Sequence, residues 1–286
     1  MNTVEDVQGM NMLECFSGAF DYKCFNQSMQ KNLDMSFERI KTYNLILGNV
    51  CTASLGDWWH NVYLKRFGAG DLESKSIQFG DCDHFSHILP KEITCLFIKN
   101  NSHWVCLCDA LSYNTASSLG KIRTSDCQQI ESLFCLSGSC SFCTKIHSLE
   151  VLKLESLKSL TVLCKDVFDV RQSLTPFGIF SCLKQFAIYQ CHLIEKLFTP
   201  QLVQQLQNME IIDVEDYDSM KEIFAVSNND DNHRSIISLP KLTRLTLHFL
   251  SELKIVCKGS ISCGSSLEVV IYNCPNLERY PTIQRC

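Results

Sequence analysis

An α/β repeat solenoid is the fold class this sequence predicts: one curved stack with a parallel β-sheet on its concave face and irregular loops or short helices on its convex face. Three observations lead there. In residues 181–198, SCLKQFAIYQCHLIEKLF, the apolar positions are Leu183, Phe186, Ile188, Cys191, Ile194 and Leu197. Their steps of three, two, three, three and three belong to neither a plain helix nor a plain strand. The same spacing returns along the chain. From copy to copy the strand stays nearly constant while the return segment changes length.

In chain order, Met10, Leu13 and Cys15 suggest a first strand and Tyr43–Leu47 a second. Residues 51–73, with Gly56-Asp57-Trp58-Trp59 and Gly68-Ala69-Gly70-Asp71, form the longest irregular stretch. A short copy follows at Ile77, Phe79, Cys82, Phe85 and Ile88, then a fuller one at Ile93, Leu96, Ile98, Asn101, Trp104 and Leu107. The next reads Leu119, Ile122, Thr124, Cys127, Ile130 and Leu133. The most regular has Leu149, Leu152, Leu154, Leu157 and Leu160. Beyond 181–198 come Met209, Ile212, Val214, Tyr217, Met220 and Ile223, then Leu242, Leu245, Leu247, Leu250, Leu253 and Val256. The last copy, SLEVVIYNCPNLERYP, places its strand pair at Val269 and Ile271, with its preceding anchor one residue out of step. The pattern is the leucine-rich repeat, LxxLxLxxN/CxLxxL, with Cys often standing for Asn.

The last inward strand residues are Phe79, Ile98, Thr124, Leu154, Ile188, Val214, Leu247 and Ile271, so the intervals run from 19 to 34 residues. Such variation suits a solenoid, whose insertions sit outside the stacked core. The expected organisation is a single domain over 1–286, clearest from about 75 to 281 and degenerate over 1–74. Thr199-Pro200 reads as a helix start, with Leu202, Val203, Leu206 and Met209 on one helical face. Residues 227–235 are wholly polar and read as a surface loop, and residues 135–147 as a Cys-rich insert. At the Asn/Cys position a side chain must satisfy backbone groups in the turn leaving the strand. Asn101 can donate and accept, whereas Cys82, Cys127, Cys191 and Cys274 offer only a weak S–H donor. Leu157, Tyr217 and Leu250 require other groups to do this.

Composition narrows the function classes. With 45% hydrophobic and 20% charged residues, the chain can bury a sizeable core. A net charge of −5 gives no support for nucleic-acid binding. Residues 1–10 lack the features of a signal peptide, and no stretch approaches the ~20 apolar residues of a membrane span. A cytoplasmic location is therefore expected, with the 18 cysteines mostly reduced. No GxxxxGK[ST], GxSxG, HExxH or GxGxxG occurs, which points to a non-enzyme without catalytic residues or cofactor. Cys140, Cys143 and His147, with Cys135 nearby, have spacing that could hold zinc; the preferred reading is a Cys-rich insert without metal.

Strand residues between and beside the inward pair should face the concave side. Phe97, Lys99, Lys121, Arg123 and Lys153 gather there into a basic, partly aromatic patch, with Asp213, Glu215 and Glu155 as an acidic counterpart. Tyr189 belongs to the same face. Each could be an ordinary solvated residue. The alternative is a protein-partner surface, on which charge reversal at Arg123 and Lys153 would weaken binding without unfolding the chain.

The segments IRTSDCQQIESLF (122–134), FAIYQCHLIEKLF (186–198), IIDVEDYDSMKEIF (211–224), LPKLTRLTLHFLSELKIVC (239–257) and SLEVVIYNCPNLERYP (266–281) resemble one family closely. They look like the leucine-rich repeats of plant intracellular disease-resistance receptors of the coiled-coil nucleotide-binding (NBS-LRR) type. LPKEITCLFIKNNSHWVCLCDAL (89–111) and NMLECFSGAFDYKCFN (11–26) look like upstream parts of that region. The resemblance implies a non-catalytic protein-recognition module that senses pathogen effectors, or host proteins modified by them, in plant defence and innate immunity. It also implies contact with a nucleotide-binding domain in a full-length receptor. ADP/ATP belongs to that domain, whose motifs this sequence does not contain, so the expected partner is a protein. Two other readings stay open: a substrate adaptor of a ubiquitin ligase, and a non-functional truncated receptor.

Overall fold

The computed structural model describes residues 15–21, 41–48, 75–81, 92–109, 116–135, 143, 146–165, 178–225 and 236–285. Ten strands form one parallel sheet. In spatial order they are β1 (Cys15–Asp21), β2 (Thr42–Gly48), β3 (Lys75–Phe79), β4 (Cys95–Lys99), β5 (Lys121–Ser125), β7 (Val151–Glu155), β9 (Gln185–Tyr189), β11 (Ile211–Tyr217), β14 (Arg244–Leu250) and β17 (Glu268–Tyr272). Each pairs with the next in the same direction, so every connection must return along the far side of the stack. The first strand begins at Cys15; Met10 and Leu13 lie outside the described residues.

Register is set by the inward pair. Ile77, Leu96, Ile122, Leu152, Phe186, Ile212, Leu245 and Val269 stand opposite one another through successive pairings, as do Phe79, Ile98, Thr124, Leu154, Ile188, Val214, Leu247 and Ile271. Strand spacing of ~4.8 Å brings each residue onto its equivalent, and a one-residue slip would turn the whole apolar row to the other face. Most of these side chains are fully buried. Tyr43 and Leu45 of β2 join the same core. In the last copy Leu267 rather than Ser266 packs inward, two residues before Val269 instead of three.

Among the described residues the opposite side carries short helical turns and loops, as expected, and also three small parallel sheets. The motif endings SLFC, KLF, EIF and IVC form β6 (Ser132–Cys135), β10 (Lys196–Phe198), β12 (Glu222–Phe224) and β15 (Ile255–Cys257). β6 pairs with β8 (Val162–Lys165), and β10, β12 and β15 form their own parallel ladder. A third small sheet joins β13 (Ile236–Leu239), β16 (Ser260–Cys263) and β18 (Thr282–Arg285). Phe198 stacks on Phe224 with centroids 5.5 Å apart and meets Phe186 edge-on at 5.1 Å, so the second ladder closes the core from behind. The expected helix is a single turn, α1 (Pro200–Val203), followed by a 3-10 turn at 206–208. Thr199 occupies the N-cap position without a side-chain capping bond. Leu202, Val203, Leu206 and Met209 are nevertheless all buried. Residues 51–73 and 227–235 lie outside the described residues.

At or next to the end of seven of the sheet's strands, from β4 to β17, one residue enters the left-handed region: Asn100, Asp126, Ser156, Gln190, Asp216, Phe249 and Asn273 all have φ between 52° and 63°. Each directly precedes the Asn/Cys position of its repeat. The twist turns the next side chain inward and aims a backbone N–H across the stack. Asn100, Asp126, Ser156 and Gln190 donate to the carbonyls of Ser125, Glu155, Tyr189 and Glu215. Asn101 then acts in both directions: Oδ1 accepts from the amides of His103 and Trp104 at 3.0 and 2.9 Å, and Nδ2 donates to the Gly80 carbonyl at 3.4 Å. The cysteines use their weaker donor similarly. Cys127 and Cys191 donate to the carbonyls of Ser125 and Tyr189 at 3.2 and 3.3 Å, and Cys274 reaches those of Leu247 and Tyr272 at 3.6 Å. Leu157 has no such side chain, and its amide donates to Cys191 Sγ of the next repeat.

Candidate functional site: a concave pocket

The central concave column runs Gln78, Phe97, Arg123, Lys153, Ala187, Asp213, Thr246 and Val270, each in register with the next. Its flank runs Lys99, Ser125, Glu155, Tyr189, Glu215, His248 and Tyr272. Alternation within each strand fixes these positions opposite the core, because the inward residues on either side are locked by packing.

Between β3 and β9 this face hollows into an open pocket of about 430 Å³. Five of the expected residues line it: Phe97, Lys99, Arg123, Lys153 and Tyr189. Gln78 and Glu155 line it as well. Lys121, Asp213 and Glu215 are half-buried and stand outside it. Glu155 therefore sits within the basic cluster and not with the acidic group farther along.

Two residues expected to face solvent do not. Phe97 is 5% exposed and Arg123 is 7% exposed, with the Arg123 guanidinium over the Phe97 ring at 5.5 Å from its centroid. A cation held against an aromatic face is bound both by the ring quadrupole and by contact along its stem. Arg123 is thus part of the pocket floor, and reversing its charge would disturb the fold. Lys99, Lys153 and Tyr189 stay half-exposed at the walls. Burial holds the Lys99 ammonium below the ordinary lysine range, and the charges of Asp126 and Glu155 only partly offset this. Gln78 is 3% exposed, and its Oε1 has no hydrogen-bond partner among the described residues. A buried acceptor in that state gains most from a donor brought by another molecule. Alternation with Ile77 and Phe79 turns Gln78 to the concave side, but only the closing of the face around it makes it a pocket residue.

The cysteines divide by role. Cys127 and Cys191 are fully buried in the turns, and burial pushes the Cys191 thiol up to about 11, far from the thiolate needed by a nucleophile. His147 is exposed, Cys140 lies outside the described residues, and Cys143 groups with Cys135, nearby in sequence as noted, and with Cys108, which its spacing did not suggest. Among the described residues no helix is long and apolar enough to cross a membrane.

Comparison with known families agrees with this architecture. Residues 164–282 match the family model described as plant disease resistance protein RPS2-like, leucine-rich repeats. No curated protein matches the chain closely enough to serve as a relative. The match covers β9, β11, β14 and β17, and the same register continues without a break through β7, β5, β4 and β3. Residues 164–282 are thus similar to the leucine-rich repeats of plant disease resistance proteins, and the strands before them continue the same parallel ladder.

Proposed function

We propose that this chain is the non-catalytic recognition module of a plant immune receptor, and that its concave pocket binds a protein: a pathogen effector, or a host protein that an effector has modified. The supporting observation is the pocket, where five strands bring two half-exposed lysines, a buried arginine, a tyrosine and a buried amide oxygen to one place on a rigid sheet. Lys99 and Lys153 offer charge to a carboxylate, Tyr189 offers a flat apolar wall with a hydroxyl, and Gln78 Oε1 accepts from an incoming N–H. This chemistry suits an acidic side chain carried on an extended segment of protein. Strand-borne side chains lose little freedom on binding, which favours selectivity.

The test uses an array of acidic peptides and their amide counterparts, probed with the purified chain and with Lys153→Glu and Tyr189→Ala. Lys153→Glu should weaken acidic-peptide binding by at least about tenfold, since like charges placed together cost several kcal/mol. Its thermal midpoint should stay near that of the parent. Equal binding by parent and Lys153→Glu, or selection of peptides without regard to acidity, would overturn the pocket assignment. Nucleotide or ester hydrolysis above background by the same preparation would overturn the non-catalytic reading.

A further inference from the structure

Away from the concave pocket, three cysteines from separate parts of the chain converge. Cys108 lies in the 3-10 turn at 107–109 after β4, Cys135 ends β6, and Cys143 follows in the insert. Cys108 Sγ is 3.1 Å from Cys143 Sγ and 3.5 Å from Cys135 Sγ, and the latter two are 3.9 Å apart. An isolated parallel bridge between Cys106 and Ser132 holds the turn alongside β6. Cys106 Sγ donates to the Leu133 carbonyl at 3.3 Å and accepts from the Cys108 amide at 3.5 Å, so it fixes the turn that carries Cys108.

We propose that Cys108, Cys135 and Cys143 form a thiolate site for a soft divalent cation of the zinc class. A Zn–S bond of ~2.3 Å in tetrahedral geometry sets neighbouring sulfurs about 3.8 Å apart. The 3.5 and 3.9 Å separations lie near that value, and the 3.1 Å pair, Cys108 and Cys143, has to part slightly to admit the ion. Cys143 is fully buried and the other two are half-buried, so the sulfurs share a pocket with little water. As neutral thiols they offer one another only weak hydrogen bonds. On binding, each S–H releases its proton to solvent as its sulfur–metal bond forms, with no change of oxidation state. Three thiolates leave a fourth position for solvent. The ion would fasten the insert to two consecutive repeats, and the site is independent of the concave pocket.

The experiment strips the reduced chain with a chelator and titrates it with zinc or cobalt(II) alone. One equivalent should bind, with thiolate-to-cobalt charge-transfer bands and a higher thermal midpoint, since a ligand that binds the folded state stabilises it. Cys135→Ser should weaken binding by more than about 100-fold and Cys106→Ser by about tenfold, the scale of losing a supporting group. Cys191→Ser should leave affinity unchanged. Because a cysteine variant can misfold, a second measurement uses the parent chain: zinc should slow alkylation of Cys108, Cys135 and Cys143 but not of exposed Cys15. Failure to take up one equivalent, absence of that protection, or unaltered cobalt spectra in Cys135→Ser would overturn the proposal. So would a Cys108–Cys143 disulfide forming in air in a chain that takes up no metal.

Discussion

Replacing Asn101 tests how the turn between repeats is held. Asn101 is fully buried, accepts from the amides of His103 and Trp104 and donates to the Gly80 carbonyl. Asn101→Ala removes the acceptor from two amides inside the turn, and each buried orphan donor costs about 1–3 kcal/mol. The expected loss is therefore about 2–6 kcal/mol, with the lower end reached if water enters the vacated space. Asn101→Cys should be milder. Cys127, Cys191 and Cys274 occupy the equivalent position and donate from sulfur to strand-end carbonyls, so the substitution keeps one of the two directions. Repeat stacks open locally, so the measurement is hydrogen exchange at the amides of His103, Trp104 and β4, alongside urea denaturation. Exchange should quicken in the order parent, Cys, Ala. Equal exchange in the Ala variant and the parent would refute the reasoning, as would a Cys variant less protected than Ala.

Three other outcomes follow from the packing. Phe198→Ala removes a ring lodged between Phe186 and Phe224 and should cost about 3–5 kcal/mol in urea denaturation. Phe249→Asn addresses a bulky residue at φ 54°, where relief of the left-handed strain is worth about 1–2 kcal/mol. Phe249 is also half-exposed, so a higher thermal midpoint is expected; a lower one would mean that its edge contact with Tyr272 outweighs the strain. Alkaline pH supplies the third. Burial raises the Cys191 and Cys257 thiols to about 11, from 9.0 in the unfolded chain. A raised folded pKa favours the protonated form, so this stability is complete below pH 9 and is lost as pH rises towards 11. Reduced chain should lose urea resistance across that window, and Cys191→Val should lose less.

The ladder was legible because two constraints coincide in it. A strand flanked by threefold steps has one register that buries every large residue, and Phe186/Ile188, Ile212/Val214 and Leu245/Leu247 satisfy it together. Lys153 and Tyr189 were legible as concave residues for the same reason, since they alternate with the buried pair. Burial within the concave face was not legible. Alternation tells which way Phe97 and Arg123 point, but not that neighbouring strands close over them, because that depends on side chains from three adjacent repeats. Endings such as EKLF and KEIF read as return segments, and no single copy shows that they pair with each other. A three-residue strand has no periodicity to detect.

The left-handed column was the least visible feature, and the reason is physical. Such a position ordinarily announces itself as glycine or asparagine, yet here it holds Asn, Asp, Ser, Gln, Asp, Phe and Asn. Their side chains cannot be selecting the conformation alone, since Phe249 and Ser156 have no intrinsic preference for it. The stack imposes it instead: the residue must turn so that its amide meets the neighbouring carbonyl and the next side chain enters the core. Asn100, Asp126, Asp216 and Asn273 lower the cost locally, while Ser156 and Gln190 recover some of it by joining Ser156 to Gln190 and Gln190 to Asp216 through side-chain hydrogen bonds. The strain is shared along the same column that positions Lys99, Glu155 and Tyr189 one residue earlier. The pocket walls therefore owe their placement to a turn that each repeat forces on the next, and a repeat with glycine at this position would keep the turn while relaxing the wall beside it.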